Sequence, residues 1–277
     1  MNATVLRAGW SRGLIELRQS FTNGAELFSH FLWPALMVAT LFFIRDLSVG
    51  ALLLGALALP GILGMNAATG VIGMSQQLTA DREDGTLLRA KATPHGMPAY
   101  LIGKVISVSG GLLADLVIFL VPAALLVEGL RIGPDSWPGL AWVLVLGLVA
   151  TLPIGAVLGS VFTSARAQGL VQLPFLALIG ISGIFYPIIA LPEWLQWIAQ
   201  IFPIYWMGLG MRSALLPDSA VAVEIGESWR HLETAGVLGA WAVLGLLVAP
   251  VVLRRMARGE SGSTVAARRE RALRRIG

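Results

Sequence analysis

The chain has 277 residues, of which 56% are hydrophobic and only 13% are charged, and its mean hydropathy is +0.76. Soluble domains carry about a quarter of their residues as charges, so a soluble fold is excluded and lipid must solvate part of this surface. The sequence contains no cysteine, which excludes disulfides, thiolate chemistry and cysteine-ligated metals.

Residues 4–22 predict an amphipathic helix ahead of the first apolar run. Its apolar side chains recur every three or four positions and form one stripe, made of Leu6, Trp10, Leu14, Leu17 and Phe21. We expect this helix to lie in the plane of the membrane interface. The alternative is a soluble helix packed on its own protein. Residues 1–20 lack the apolar core of a signal peptide, so we expect the first membrane helix to direct insertion.

Six apolar runs reach the length of about 20 residues that a membrane-spanning helix needs. They cover about residues 28–44, 49–74, 99–127, 139–162, 168–189 and 235–253. We therefore predict an all-α membrane protein with a single transmembrane domain over residues 1–277. Its parts are the interfacial helix 4–22, the six-helix region 28–253 and a basic cytoplasmic tail, 254–277.

The distribution of basic residues predicts the orientation. The pI near 10.1 would suit nucleic acid, but the basic residues flank the apolar runs, so we expect no nucleic-acid partner and instead contacts with lipid headgroups. Of the 20 Lys and Arg residues, 16 fall on the side that holds both termini and the loops 75–98 and 163–167. The positive-inside rule makes that side cytoplasmic, and we expect the plasma membrane as the location.

The loop between the second and third runs combines a charged helical extension with residues that end helices. Gly85 can end a helix in the left-handed conformation, and Thr86 can cap a new short helix. Pro94 then turns the chain back. Leu87 and Leu88 stand among charges, and exposed leucines inside a polar rim suit a socket on another protein. The alternative is a loop folded onto its own helix ends.

The segment 190–234 is too apolar for a solvated loop and too rich in proline for another crossing. Trp and Tyr favour the headgroup region, so we expect one or two short helices that dip back into the outer leaflet as a re-entrant segment. The residues that we assign to this outer gate are Phe185, Pro187, Pro192, Trp194, Trp197, Phe202, Pro203, Tyr205 and Trp206.

Two motifs resemble those of ABC-2 type transporter permeases. Asp81-Arg82-Glu83-Asp84-Gly85-Thr86-Leu87, with Thr93-Pro94 and Gly103-Lys104, is similar to the family's Glu-Arg-Glu-x-Gly-Thr-Leu stretch and the Gly-Lys that opens its third span. Phe185-Tyr186-Pro187, Leu191-Pro192-Glu193-Trp194-Leu195, Phe202-Pro203 and Arg212 look like the family's outer re-entrant region. Two departures are Asp81 in place of the usual Glu and His95-Gly96-Met97 in place of a commoner Ser-Arg type of stretch.

The resemblance implies a membrane subunit that pairs with a second permease chain, either identical or a paralogue, and binds two cytoplasmic ATPase subunits. The segment 81–91 would be the coupling helix, with contacts assigned to Asp81, Arg82, Glu83, Asp84, Gly85, Thr86, Leu87, Leu88 and Arg89. We expect export of an amphipathic drug, a lipid or a glycan through a path lined by the first, second and fifth spans.

We expect no cofactor in this chain and no enzymatic activity of its own, with ATP and Mg bound by the partner ATPase. Gly103-Lys104-Val105 is not a phosphate-binding loop, because Pro98 stands at its first glycine and Val105 replaces the Ser or Thr that would hold magnesium. His30, His95 and His231 fall in three compartments of the predicted topology, so we expect no metal site.

Other functional classes remain open from the residues alone. A secondary transporter would place polar residues inside the spans, and the candidates are Asn66, Asp115 and Gln172, with Thr69 and Gln168 nearby. An intramembrane serine protease is suggested by Gly180-Ile181-Ser182-Gly183, although His231, the only later histidine, lies outside the last span. A channel would need a selectivity filter, which the sequence does not show. Gly155 and Gly159 form a small-xxx-small pattern that favours helix packing.

Overall fold

The computed structural model of the protein describes residues 3–49, 52–162 and 165–259. Within these ranges the chain is predominantly helical, with one pair of antiparallel two-residue strands, β1 (Ser48–Val49) and β2 (Leu52–Leu53). The helices are α1 (Ala3–Ser20), α2 (Gly24–Ile44), α3 (Leu54–Ala68), α4 (Gly70–Glu83), α5 (Thr86–Lys91), α6 (Gly96–Leu126), α7 (Ser136–Val161), α8 (Ala165–Ile181), α9 (Glu193–Ile201), α10 (Pro203–Leu215) and α11 (His231–Gly259).

Five helical segments among the described residues are long and apolar enough to cross a membrane. They are Gly24–Ile44, Leu54–Glu83, Gly96–Leu126, Ser136–Val161 and His231–Arg258. The second of these joins α3 and α4, which are separated only by Thr69. The run predicted at 168–189 overlaps α8, an apolar helix that begins at Ala165 and ends earlier than the run, at Ile181. The protein is thus a multi-pass membrane protein, and most of the tail predicted at 254–277 lies outside the described residues.

The core of the bundle is built around α3, which is buried over almost its whole length. Glycines allow α10 and the turn after α8 to approach the α3 backbone closely. A Cβ atom added to Gly64 would lie 2.6 Å from the backbone nitrogen of Gly208 in α10, and one added to Gly61 would lie 2.2 Å from the carbonyl oxygen of Ile184. Small residues at such contacts let helices pack without side chains between them.

Glycines also position α7 and α1. A Cβ atom at Gly155 would lie 2.4 Å from the carbonyl oxygen of Val71, and one at Gly159 would lie 2.6 Å from that of Ser75. The small-xxx-small pattern of α7 is therefore the face that packs on α4, as the sequence predicts. On α1, Gly9 and Gly13 lie against α6, while Leu6, Trp10 and Leu14 are exposed.

Two long helices contribute little to the core. In α2 only Pro34 and Leu41 are buried, and in α8 the leucines at 170, 173 and 176 are exposed. These two helices stand beside α4 and α6 and leave a cleft between them. The fold therefore presents an open, partly polar surface on one side of an apolar bundle.

Candidate coupling segment and membrane cleft

The turn between α4 and α6 has the local structure that its residues predict, with one difference. Gly85 ends α4 in the left-handed conformation, with φ at +81°, and α5 follows from Thr86 to Lys91. The cap comes from Asp84 rather than Thr86, because Asp84 Oδ1 accepts a hydrogen bond from the Thr86 backbone N–H at 2.7 Å. Thr86 instead accepts a hydrogen bond from Arg89 at 2.7 Å. His95 is also left-handed, where the chain turns into α6.

The prediction of two exposed leucines in this turn was wrong for Leu87. Its side chain is only 1% exposed, and it belongs to a buried apolar cluster that includes Met74, Leu78 and Tyr100. The loop folds onto its own helix ends because α5 is amphipathic and turns its apolar side towards them. Leu88 is half-buried, so a partner would meet mainly the exposed polar residues, Glu83, Asp84, Arg89 and Lys91.

A buried ion network joins this segment to α1 and α6. Asp81 Oδ2 accepts hydrogen bonds from Lys104 Nζ at 2.8 Å and from the Tyr100 hydroxyl at 2.6 Å. Lys104 Nζ also lies 2.9 Å from Glu16 Oε2, and Glu16 pairs with Arg12 at 2.9 Å. Asp81 and Lys104 are 9% and 6% exposed, so each charge depends on its partner for solvation.

A second polar cluster joins α4 to α7 and α8. Gln168 accepts a hydrogen bond from Ser75 at 2.9 Å and donates one to Thr79 at 2.7 Å. Arg82 is buried and donates to the Ser160 carbonyl oxygen at 2.9 Å. Together the two networks connect the C-terminal part of α4 with four other helices. The sequence did not predict either network. The only sign of the first one was that Asp81 and Lys104 belong to motifs that resemble those of the family.

The cleft beside α2 and α8 has a volume of about 1390 Å³, larger than the roughly 300–1,000 Å³ of an ordinary small-molecule site. Asp115 and Gln172 both line it. Asn66 does not, because it is buried within α3 at 5% exposure. The three candidate polar residues therefore do not form one site.

Asp115 has a partner that the sequence did not reveal. His30 Nδ1 lies 2.5 Å from Asp115 Oδ1, across positions that are 85 residues apart in the chain. The two side chains are 17% and 22% exposed and face the cleft. Phe21 stacks on the His30 ring with 4.5 Å between centroids, which holds the imidazole in place.

The predicted outer segment folds as two short helices with different surroundings. Helix α10 is almost wholly buried, including Pro203, Tyr205 and Trp206, whereas Pro192, Trp194 and Trp197 at α9 are exposed. The other predicted residues of this group, Phe185, Pro187 and Phe202, are half-buried.

A buried ion pair fastens α10 at its end. Arg212 is 1% exposed, and its Nε lies 2.5 Å from Glu224 Oε1. Arg212 Nη1 also donates to the Gly183 carbonyl oxygen at 3.2 Å, which ties α10 to the turn after α8. The sequence pointed to Arg212 but not to Glu224.

The geometry of Ser182 and of the described His, Asp and Glu side chains does not support a protease or a metal centre. The Ser182 hydroxyl is buried and donates to the Ile179 carbonyl oxygen at 2.7 Å, a bond within its own turn. Within residues 3–49, 52–162 and 165–259, no three His, Asp or Glu side chains come together as a metal site would require.

Comparison with known proteins gives one family. No curated protein matches the chain. The sequence model of a family described as ABC-2 type transporter matches residues 4–216, which begins in α1 and ends just after α10. This match covers well over half of the 277 residues and includes the turn at α5, the cleft and the buried helix α10. The chain is a multi-pass membrane permease of the ABC-2 type transporter family, whose members in general associate with an ABC ATPase.

Proposed function

We propose that this chain is the membrane subunit of an exporter driven by ATP that a separate ATPase hydrolyses. The buried network around Asp81 and Lys104 is the observation that carries this proposal. It lies directly before the exposed turn at α5 and reaches α1 and α6. A movement imposed on α5 from the cytoplasm would therefore be passed to several helices at once.

The proposed topology has six crossings, with α8 as the fifth. Both termini then lie in the cytoplasm, and α9 with α10 forms a re-entrant element on the outer face of the plasma membrane. The burial of α10 against α3 supports this arrangement, because non-spanning backbone at membrane depth must be covered by protein. The exposed tryptophans of α9 suit the headgroup region.

The proposed interfacial position of α1 rests on its two faces. Val5, Gly9 and Gly13 are buried towards α6, whereas Leu6 and Trp10 remain 43% and 59% exposed. An apolar stripe that does not pack on its own protein is suited to lipid at the membrane surface. This helix would lie next to the ATPase and offer it a second contact.

The substrate path in this proposal is the cleft between α2, α4, α6 and α8. The exposed faces of α2 and α8 would then contact a second permease chain, and two ATPase subunits would bind beneath the pair. An amphipathic drug, a lipid or a glycan would cross there. Lys104 is engaged by Asp81 and Glu16, which supports the proposal that nucleotide and magnesium bind only to the ATPase.

The test of the proposed docking surface uses exposed residues of α5. Glu83→Ala and Arg89→Ala remove charges from the exposed side of the turn without touching the buried cluster. We expect each to weaken binding of the partner ATPase by about tenfold, or about 1.4 kcal/mol, since a few contacts dominate most interfaces. Binding is measured with the permease in nanodiscs.

Glu128→Ala is the matched control, because Glu128 is also exposed but lies beyond the opposite end of α6. Unchanged ATPase affinity in both α5 variants would contradict the assignment of the docking surface. Leu87→Asp is unsuitable for this test, because the buried Leu87 would report on folding instead.

A secondary transporter is the second candidate function. The observation in its favour is the His30–Asp115 pair, because ionisable residues inside membrane proteins commonly mark ion or proton pathways. Such a protein would transport its substrate along an ion gradient without any ATPase.

A further inference from the structure

The His30–Asp115 pair lies within the cleft. Asp115 is about 16 Å along α6 from Lys104, at about 1.5 Å per residue. His30 is in the second turn of α2, so the contact places Asp115 beside the first turns of that helix, which begins on the cytoplasmic side in the proposed topology. Both side chains remain partly exposed to the cleft, where a molecule entering from the cytoplasmic side would meet them.

The lining of the cleft contains both polar and apolar groups. The polar ones include the Gln76 and Gln77 amides and Asp115, and the apolar ones include Trp33 from α2 and Phe175 and Leu176 from α8. Such a cleft suits a molecule with one polar end and one apolar body, because each part would meet matching groups.

The charged residues of the cleft determine which charge the polar end of a bound molecule should carry. Five carboxylates line it, and the basic residues among its lining are Lys104 and His30. Lys104 already lies between Asp81 and Glu16. A neutral His30 can hold Asp115 through one N–H while leaving the negative charge of the pair uncompensated. In the described lining, carboxylates therefore outnumber basic side chains whether or not His30 carries a proton.

We propose that Asp115 is the substrate-recognising carboxylate of this cleft and that the substrate is an amphipathic cation. Its positive group binds Asp115, and its apolar body packs against Trp33, Phe175 and Leu176. His30 is a positioning residue, because it orients the carboxylate through the bond at 2.5 Å while Phe21 holds its ring. This inference rests on the proposed function, since it names the substrate of the cleft that serves there as the transport path.

Two probes of nearly the same shape and opposite charge test the proposal. Tetraphenylphosphonium is a permanent lipophilic cation, and tetraphenylborate is the matching anion. Their binding is measured with the purified permease in nanodiscs, without ATPase or ATP, and empty nanodiscs give the lipid background. We expect saturable binding of the cation that is at least tenfold tighter than binding of the anion.

Variants then locate the charge that selects the cation. Asp115→Asn keeps the shape of the side chain, and we expect it to weaken cation binding about tenfold and leave anion binding unchanged. His30→Gln should keep most of the cation affinity, since the carboxylate remains. Asp135→Asn makes the same chemical change at an exposed carboxylate outside the cleft and should leave cation binding as in the wild type.

Two results would overturn the proposed role of Asp115. Equal cation affinity in the wild type and Asp115→Asn would show that Asp115 only fastens α2 to α6. Absence of charge discrimination by the wild type would overturn it even if a variant failed to fold. The binding assay contains no ATPase, so it is independent of the proposed export. If the protein binds the cation but shows no ATP-dependent export, the role of Asp115 stands and the exporter function is excluded.

Discussion

Lys104 holds two carboxylates, Asp81 and Glu16, that come from helices far apart in the sequence. Burying such charges costs several kcal/mol each, and the mutual contacts only offset that cost. The same balance applies at Arg212 and Glu224, near the end of α10. At both places truncation of the basic residue leaves a buried carboxylate without its positively charged partner.

Lys104→Ala should therefore lower the free energy of unfolding by about 3–5 kcal/mol, the usual loss when one partner of a buried pair is removed. The thermal unfolding midpoint in detergent measures this loss. The double variant Asp81→Leu with Lys104→Met should recover most of it, because no isolated charge remains.

Arg7→Ala is the control for that prediction, since Arg7 is an exposed basic residue of α1. We expect a change within about 0.5 kcal/mol, as for most surface substitutions. A Lys104→Ala midpoint as high as that of Arg7→Ala would show that the network does not stabilise the fold.

At the scale of helices, the sequence predicted most of the elements because each apolar run must satisfy its backbone as a helix of membrane length. The break at Thr69 and the early end of α8 at Ile181 were not predictable, since apolar composition continues through both. The burial of Leu87 depends on how α5 turns towards Met74 and Leu78, which local sequence does not fix.

The candidate site was predictable only in part, because some of its contacts join residues that are far apart in the sequence. The motif residues Asp81 and Lys104 stood out because they resemble a family pattern. The His30–Asp115 contact joins positions 85 residues apart, and no periodicity or motif relates them. Glu224 was missed in the same way as the partner of Arg212. Long-range polar pairs come from the packing of helices and need the tertiary structure.

Gly64→Ala tests the close packing of α3 on α10. The added methyl group would lie 2.6 Å from the Gly208 backbone nitrogen, which cannot move aside as a flexible side chain can. We expect a loss of about 1–3 kcal/mol in unfolding free energy, measured by thermal unfolding.

Gly236→Ala in α11 is the matched control, because a Cβ atom there would meet no atom within 4 Å. Alanine favours helix over glycine by about 0.8–1.0 kcal/mol, so this variant should be as stable as the wild type or slightly more stable. Equal stability of the two variants would contradict the close approach of α3 and α10.

At the scale of the whole molecule, the exposed turn at α5 and the cleft are connected through α4. The C-terminal end of α4 carries Asp81 and Arg82, and nearer its middle Gln76 and Gln77 line the cleft. A displacement of α5 would move this helix and change the width of the cleft. The half-open cleft and the bare faces of α2 and α8 fit a permease that works as one of two chains.

Transport by reconstituted vesicles distinguishes ATP-driven export from secondary transport. Protein-free vesicles and vesicles with the permease alone are compared with vesicles that also contain the partner ATPase, with and without ATP, using tetraphenylphosphonium as the transported probe. We expect the probe to accumulate above the passive level of protein-free vesicles, on the side that corresponds to the cell exterior, only when permease, ATPase and ATP are all present. Equal accumulation by the permease alone on an ion gradient, above that passive level, would show a secondary transporter instead of an ATP-driven exporter.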